Sequence, residues 1–274
     1  MRVLERDEYG YHRIETVFQT ISLHDTLLFE PLGRGRVEVM SDAAPAGAAN
    51  IAHRAALAIL PTGKGVRVTI RKRIPMGAGL GGGSSNAAVT LLALNSLYRV
   101  NSSMAQLARI AASLGADVPF FLVGGTAAGL HYGEEIFPLA DAPASAVTLL
   151  YPGVHVSTAE AYANLKLTKI KPDVTIQNFC YSLLNNRVDL LEAAMGNDFE
   201  RSVCQDGRIA SARRFLKRQG FGAHLSGSGS VLFALGEPEF KLRPGDGWKI
   251  WRSRFLSRSR YRKRLGGSLQ WPDR

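Results

Sequence analysis

The 274-residue chain has little to build with other than a packed core, and each scarcity excludes a class. Its two cysteines, Cys180 and Cys204, lie far apart with no CxxC or Cys/His cluster. That argues against a disulfide framework or a structural zinc and leaves both as inert thiols. The six histidines are scattered singly, so a transition-metal site has little support. No apolar run approaches the roughly 18 residues of a membrane span, and no apolar segment follows the charged N-terminus. The expectation is a soluble, cytoplasmic protein with no membrane partner. There is no fixed-period repeat, and nothing in the sequence indicates an oligomeric state. Acidic residues are scarce only toward the end: from Glu239 onward 11 Lys/Arg face 3 Asp/Glu, against 23 and 20 before it. The body is nearly neutral and the end is basic.

What the chain does have is an ordinary 46% of hydrophobic residues and an excess of glycine, 28 in all. At this length it forms one large or two modest domains, with a cleft available between them. Glycine concentrates in Pro75–Ala88, reading PMGAGLGGGSSNAA. Lacking a Cβ, glycine lets another molecule approach the main chain closely, so this run predicts a backbone-lined ligand site. Ser84, Ser85 and Asn86 are preferred N-cap residues, and AAVTLLALNSLY after them has helical spacing. Before the loop, Val66, Val68 and Ile70 alternate with Arg67, Thr69 and Arg71 as a strand. In the order strand, glycine loop and helix, the first helical amides point unpaired into the loop, where the dipole favours an anion such as phosphate. No Lys-Ser or Lys-Thr follows the last glycine and no acid stands about 20 residues on, so neither a Walker loop nor a dinucleotide fingerprint fits.

Elsewhere the pattern predicts strands over 15–23, 26–30, 36–40 and 147–151. Helices are predicted from Asn50 to Leu60 and from Met104 to Leu114, with shorter ones at 158–165, 176–184 and 189–195 and a longer one at 208–219. Asp117, after a helix-ending glycine and before an apolar run, must be solvated, capping or functional; on sequence alone a turn role is the commoner outcome. Pro152-Gly153 divides the chain into 1–151 and 152–250, followed by a basic tail over 251–274.

The spacing of Pro75, Leu80, three glycines and Ser84-Ser85 resembles the phosphate loop of the GHMP kinases, and GADVPFF around Asp117 and AHLSGSGSVLFAL over 223–235 resemble two further segments of that superfamily. Gly10-Tyr11-His12 and PGVHVST over 152–158 narrow the resemblance to the kinases of 4-diphosphocytidyl-2-C-methyl-D-erythritol, over about 2–235. The resemblance implies an α+β, two-domain fold, with an N-terminal half like ribosomal protein S5 domain 2 and a ferredoxin-like C-terminal half. It implies transfer of the γ-phosphate of ATP, with Mg²⁺, to the 2-hydroxyl of a cytidine-diphosphate-linked methylerythritol in non-mevalonate isoprenoid synthesis.

By the same resemblance, Pro75, Met76, Gly77, Ala78, Gly79, Leu80, Gly81, Gly82, Gly83, Ser84 and Ser85 hold the ATP phosphates. Asp117 is the base, Tyr11 and Tyr162 flank the cytosine, and His12 bonds its edge. Ser85 is placed near the metal, whose protein ligands stay open. Two departures stand out. Tyr9 occupies a position usually held by aspartate. The Pro-x-Lys-x-Asn-Leu strand that precedes Gly-Tyr-His in those kinases, whose lysine pairs with the catalytic aspartate, has no counterpart, since neither Arg2 nor Arg6 matches the lysine. The expectation is a chain short by about one strand at its start, with impaired catalysis. A kinase of another small alcohol is the nearer alternative. A nucleic-acid partner for RSRFLSRSRYRKRL is disfavoured, because such a run is more often a solvated face.

Overall fold

The structure, a computed structural model, describes residues 1–33, 35–165, 175–185, 187–237, 239 and 247–266. Its first half is built on two sheets. β1 (Arg2–Arg6), β2 (His12–Gln19), β6 (Thr126–Leu130) and β7 (Glu135–Pro138) form an antiparallel sheet in the order β1-β2-β6-β7. β3 (Thr26–Gly33), β5 (Lys64–Arg71) and β4 (Val37–Ser41) form a second, with β4 parallel to β5 and β3 antiparallel. On it lie α1 (Ile51–Ile59), α2 (Gly82–Leu97), α3 (Met104–Leu114) and α4 (Val118–Val123).

The predicted alternation of β5 is what attaches these helices. Val66, Val68 and Ile70 point inward and are at most 1% exposed, against Ala52, Ala55 and Ala56 of α1 and Leu91 and Leu94 of α2. Burying each branched side chain contributes roughly 1.5–3 kcal/mol. The helix limits follow local chemistry. Asn50 accepts the Ala52 amide at 3.0 Å at the head of α1, and Ser103 and Gln106 close a capping box on α3.

The second half carries β8 (Ala146–Tyr151), β9 (His224–Leu225), β10 (Leu232–Leu235) and β11 (Lys249–Arg254), ordered β11-β8-β10-β9. Around it run α5 (Thr158–Ala163), α6 (Ile176–Leu184), α7 (Val188–Ala193), α8 (Glu200–Val203) and α9 (Gly207–Arg218). β8 precedes Pro152-Gly153 yet pairs with β10 and β11, so the sheets do not divide at that break. Its faces serve two cores: Leu150 packs with Ile209 and Leu216 of α9, while Val147 and Leu149 pack with Ile74, Ala78 and Phe255.

The stretch set down as a basic tail begins inside β11 and continues into α10 (Arg258–Arg264). Only its last residues, 267–274, lie outside the described ones. α10 docks on α4. The buried Tyr261 donates its hydroxyl to the Phe121 carbonyl at 2.7 Å, and Arg258 donates to the carbonyls of Thr126 and Leu139 at 2.9 and 3.2 Å. Charge counting missed this because the anchors are single residues inside a run of like charge.

Candidate active site

The glycine loop is folded by backbone conformations that side chains resist. Gly77, Gly79 and Gly81 have φ of 58°, 75° and 63°, while Ala78 and Leu80 between them do not cross to positive φ. Alternation of this kind turns successive amides toward one side and makes an anion-binding concavity. The loop also has no room for side chains: a Cβ on Gly79 would stand 2.1 Å from the Ser226 carbonyl oxygen. The second glycine-rich element grips it there. The Ser226 hydroxyl donates to the Gly79 carbonyl at 2.8 Å, and the Val231 amide donates to that of Ala78 at 3.1 Å.

α2 begins earlier than its serines suggest. Gly81 is the N-cap with no side-chain cap, and the Ser85 amide already bonds the Gly81 carbonyl at 2.8 Å. The first-turn amides of Gly82, Gly83 and Ser84 come before the first intrahelical bond. Asparagine and serine lose the cap to glycine because the N-cap φ is 63°, a left-handed conformation. The loop's entry is braced from below. Asp25 accepts the Arg73 and Ile74 amides at 2.8 and 2.9 Å and the Asn86 side chain at 3.0 Å, and it pairs with Lys72; both side chains of that pair are buried.

Asp117 is the N-cap residue of α4, yet its side chain makes no cap bond. Among the described residues no cation pairs with it: Arg2 bonds Glu15 at 2.8 Å and Arg6 bonds His12 at 3.1 Å. The carboxylate is exposed to a cavity and surrounded by protein mass, and desolvation raises its pKa above the ordinary carboxylate value. A second, smaller cavity of about 270 Å³, with Phe18, Phe120, Phe121 and Phe179 on its walls, meets the first at Asp117 and accounts for the apolar surroundings.

The larger cavity measures about 810 Å³. It brings together every residue from Pro75 to Ser84 with Asp117, Tyr11, His12 and Tyr162; Ser85 is off its wall. His12 and Tyr162 stack at 5.6 Å with 16° between planes, and Tyr162 meets the buried Phe199 edge-on at 4.9 Å. Burial and then the charge of Asp117 raise the Tyr162 pKa, and both residues line this cavity. The His12 Nδ1 lies 2.9 Å from the Leu4 carbonyl, which can only accept. Nδ1 therefore carries the proton and Nε2 is the acceptor. Tyr11 is 66% exposed and touches Tyr132 rather than Tyr162.

This chain is 42% identical to 4-diphosphocytidyl-2-C-methyl-D-erythritol kinase of Solibacter usitatus (strain Ellin6076), over 86% of this chain and 77% of that protein. It is 40% identical to the protein of the same name from Syntrophus aciditrophicus (strain SB), over 90% and 89%. The chain belongs to this kinase family. The GHMP kinases N terminal domain matches residues 47–125. A crystal structure of 4-(cytidine 5'-diphospho)-2C-methyl-D-erythritol kinase superposes with a TM-score of 0.76 at 34% identity, covering 92% of this chain and 94% of that one. Homoserine kinase from Cytophaga hutchinsonii, at 18% identity and a TM-score of 0.69, shares the fold.

Several residues around the glycine loop and Asp117 carry no pattern in the sequence. Lys72 and Asn50 line the same cavity, Asp25 braces it, and Tyr132 reaches it from the β6–β7 turn. Among the described residues no three His, Cys, Asp or Glu side chains form a resident metal site. The Ser84 hydroxyl on the cavity wall suits Mg²⁺, which is usually bound by one or two protein groups together with substrate phosphates.

Proposed function

We propose that this chain is an ATP-dependent small-molecule kinase that phosphorylates the 2-hydroxyl of 4-(cytidine 5'-diphospho)-2-C-methyl-D-erythritol, a step of non-mevalonate isoprenoid precursor synthesis. The observation that carries this reading is the single cavity in which an amide-lined loop, an uncapped carboxylate and a pair of stacked rings face one another. Phosphoryl transfer needs positioning and charge stabilisation more than covalent chemistry, and each part supplies one of these. The amides of 77–84 donate to the triphosphate oxygens. Mg²⁺, arriving with ATP and held by its phosphates and the Ser84 hydroxyl, would neutralise phosphate charge.

Asp117 takes the proton of the attacking hydroxyl, and its raised pKa makes it a better base than an ordinary carboxylate. Tyr162 and Tyr11 offer faces for a pyrimidine. His12 Nε2 accepts from Arg6 at 3.1 Å, so a bond from it to the N4 amino group that cytosine has and uracil lacks would displace that guanidinium. Charged nucleotide substrates place the enzyme in the cytoplasm.

The test is a coupled ADP-release assay with the cytidine-diphosphate methylerythritol, its uridine counterpart, mevalonate and homoserine. Turnover with the cytidine compound, at least about tenfold better in kcat/KM than with the uridine one, is expected from the loss of one hydrogen bond. Equal use of all four would overturn the reading.

A further inference from the structure

The loop between β1 and β2 carries the exposed Tyr11, and an unsupported loop would present that ring in many orientations. Instead the loop is built around one carboxylate. Asp7 Oδ1 accepts the amides of Tyr9 and Tyr11, both at 3.0 Å, and the Asp7 amide donates to the Tyr11 carbonyl at 2.9 Å. Position 9, where the resemblance leads one to expect aspartate, is Tyr9, and Asp7 supplies the carboxylate.

The other oxygen of Asp7 accepts the hydroxyl of Tyr132, 125 residues away in the β6–β7 turn. That turn is itself held. The Tyr132 amide donates to Glu134 at 2.9 Å, and the Ile14 amide donates to the His131 carbonyl at 2.6 Å. The Tyr132 ring meets Tyr11 edge-on at 5.8 Å, and both rings line the large cavity with His12 and Tyr162. The Tyr132 hydroxyl, and after it the amides of Tyr11 and Tyr9, hold the Asp7 carboxyl below its usual range, while the Tyr132 hydroxyl is pushed up to about 12. Across neutral pH one stays an acceptor and the other a donor.

We propose that Tyr132 and Asp7 are positioning residues for the nucleobase end of the substrate. Their hydrogen bond ties the 7–11 loop to the β6–β7 turn, so that Tyr11 is set to stack on a pyrimidine before the ligand arrives. Ordering an exposed ring in advance removes a cost that binding would otherwise carry. The inference rests on the cytidine reading of the cavity.

Calorimetry with CDP, in the presence of a saturating non-hydrolysable ATP analogue, tests it on the full chain. Tyr132→Phe and Asp7→Ala are each expected to weaken CDP about 5- to 20-fold, with the dissociation constant of the ATP analogue held within about twofold. The double variant should bind CDP no worse than Asp7→Ala alone, because Asp7→Ala already removes the bond that Tyr132→Phe breaks, together with those from the Tyr9 and Tyr11 amides. In turnover the loss should lie in KM for the cytidine substrate. Unchanged CDP affinity, equal weakening of both ligands, or fully additive penalties would overturn the positioning role. Absence of CDP binding by the unsubstituted protein would overturn the cytidine reading and this proposal with it.

Discussion

Replacing Asp117 by asparagine separates charge from shape. If the carboxylate is the base, Asp117→Asn lowers kcat by at least about 10²-fold while ATP affinity changes little. Desolvation raises the folded pKa of Asp117, so the native state binds the proton more tightly than the unfolded chain. Its contribution to stability is fully present below the unfolded pKa and is lost as pH rises through the raised folded value; above that, the ionised group is a cost. Thermal midpoints at pH 7–8 should therefore be equal or higher for Asp117→Asn, with the difference fading in acid. A lower midpoint at neutral pH would show that the carboxylate is structural. Asp25 predicts the opposite sign. Asp25→Asn leaves the buried Lys72 ammonium facing an amide instead of a carboxylate, a cost of about 3–5 kcal/mol, or roughly 6–15 °C in Tm. It should also weaken ATP binding, since Asp25 braces the entry to the glycine loop. A change of less than about 1 kcal/mol would mean the pair contributes nothing beyond a surface contact.

At the scale of elements, α4 is held near its C-terminal end by the other half of the chain. Asp117 leaves its N-terminal side open to the cavity, and Tyr261 of α10 satisfies the Phe121 carbonyl near its C-terminal side. The fit is close enough that a Cβ on Gly124 would stand 2.0 Å from the Tyr261 ring. Tyr261→Phe keeps that packing and removes only the hydrogen bond, which predicts a loss of about 1–3 kcal/mol in urea unfolding with the m-value unchanged. A neutral substitution would detach α10 from the stability of α4. This contact also marks where the sequence stops being readable. The glycine loop, the strand before it and the capped α3 were legible because their chemistry lies within a few adjacent residues. Asp25 with Lys72, Asp7 with Tyr132, and Tyr261 with Phe121 pair residues 47, 125 and 140 apart, and no local periodicity carries such partners. The same reason puts β8 in a sheet that the break at Pro152-Gly153 did not suggest.

For the whole molecule, the cleft is where elements from the two halves meet. Ala78 of the glycine loop is buried with Val147, Leu149, Val231 and Phe255, so the loop is part of the core shared by both halves rather than a surface flap. The end of the cleft proposed for the cytidine is likewise assembled from β2, the β6–β7 turn and α5. The central claim is that this one cleft joins a phosphoryl donor on the loop, the Asp117 base and a cytidine-bearing alcohol. Phosphorus NMR of the products formed from ATP and the cytidine-diphosphate methylerythritol, run beside Asp117→Asn, tests it most directly. The account predicts ADP and one new phosphomonoester at the 2-position, with none above background for the variant. ADP without that phosphomonoester, or the same product at the same rate from Asp117→Asn, would contradict it.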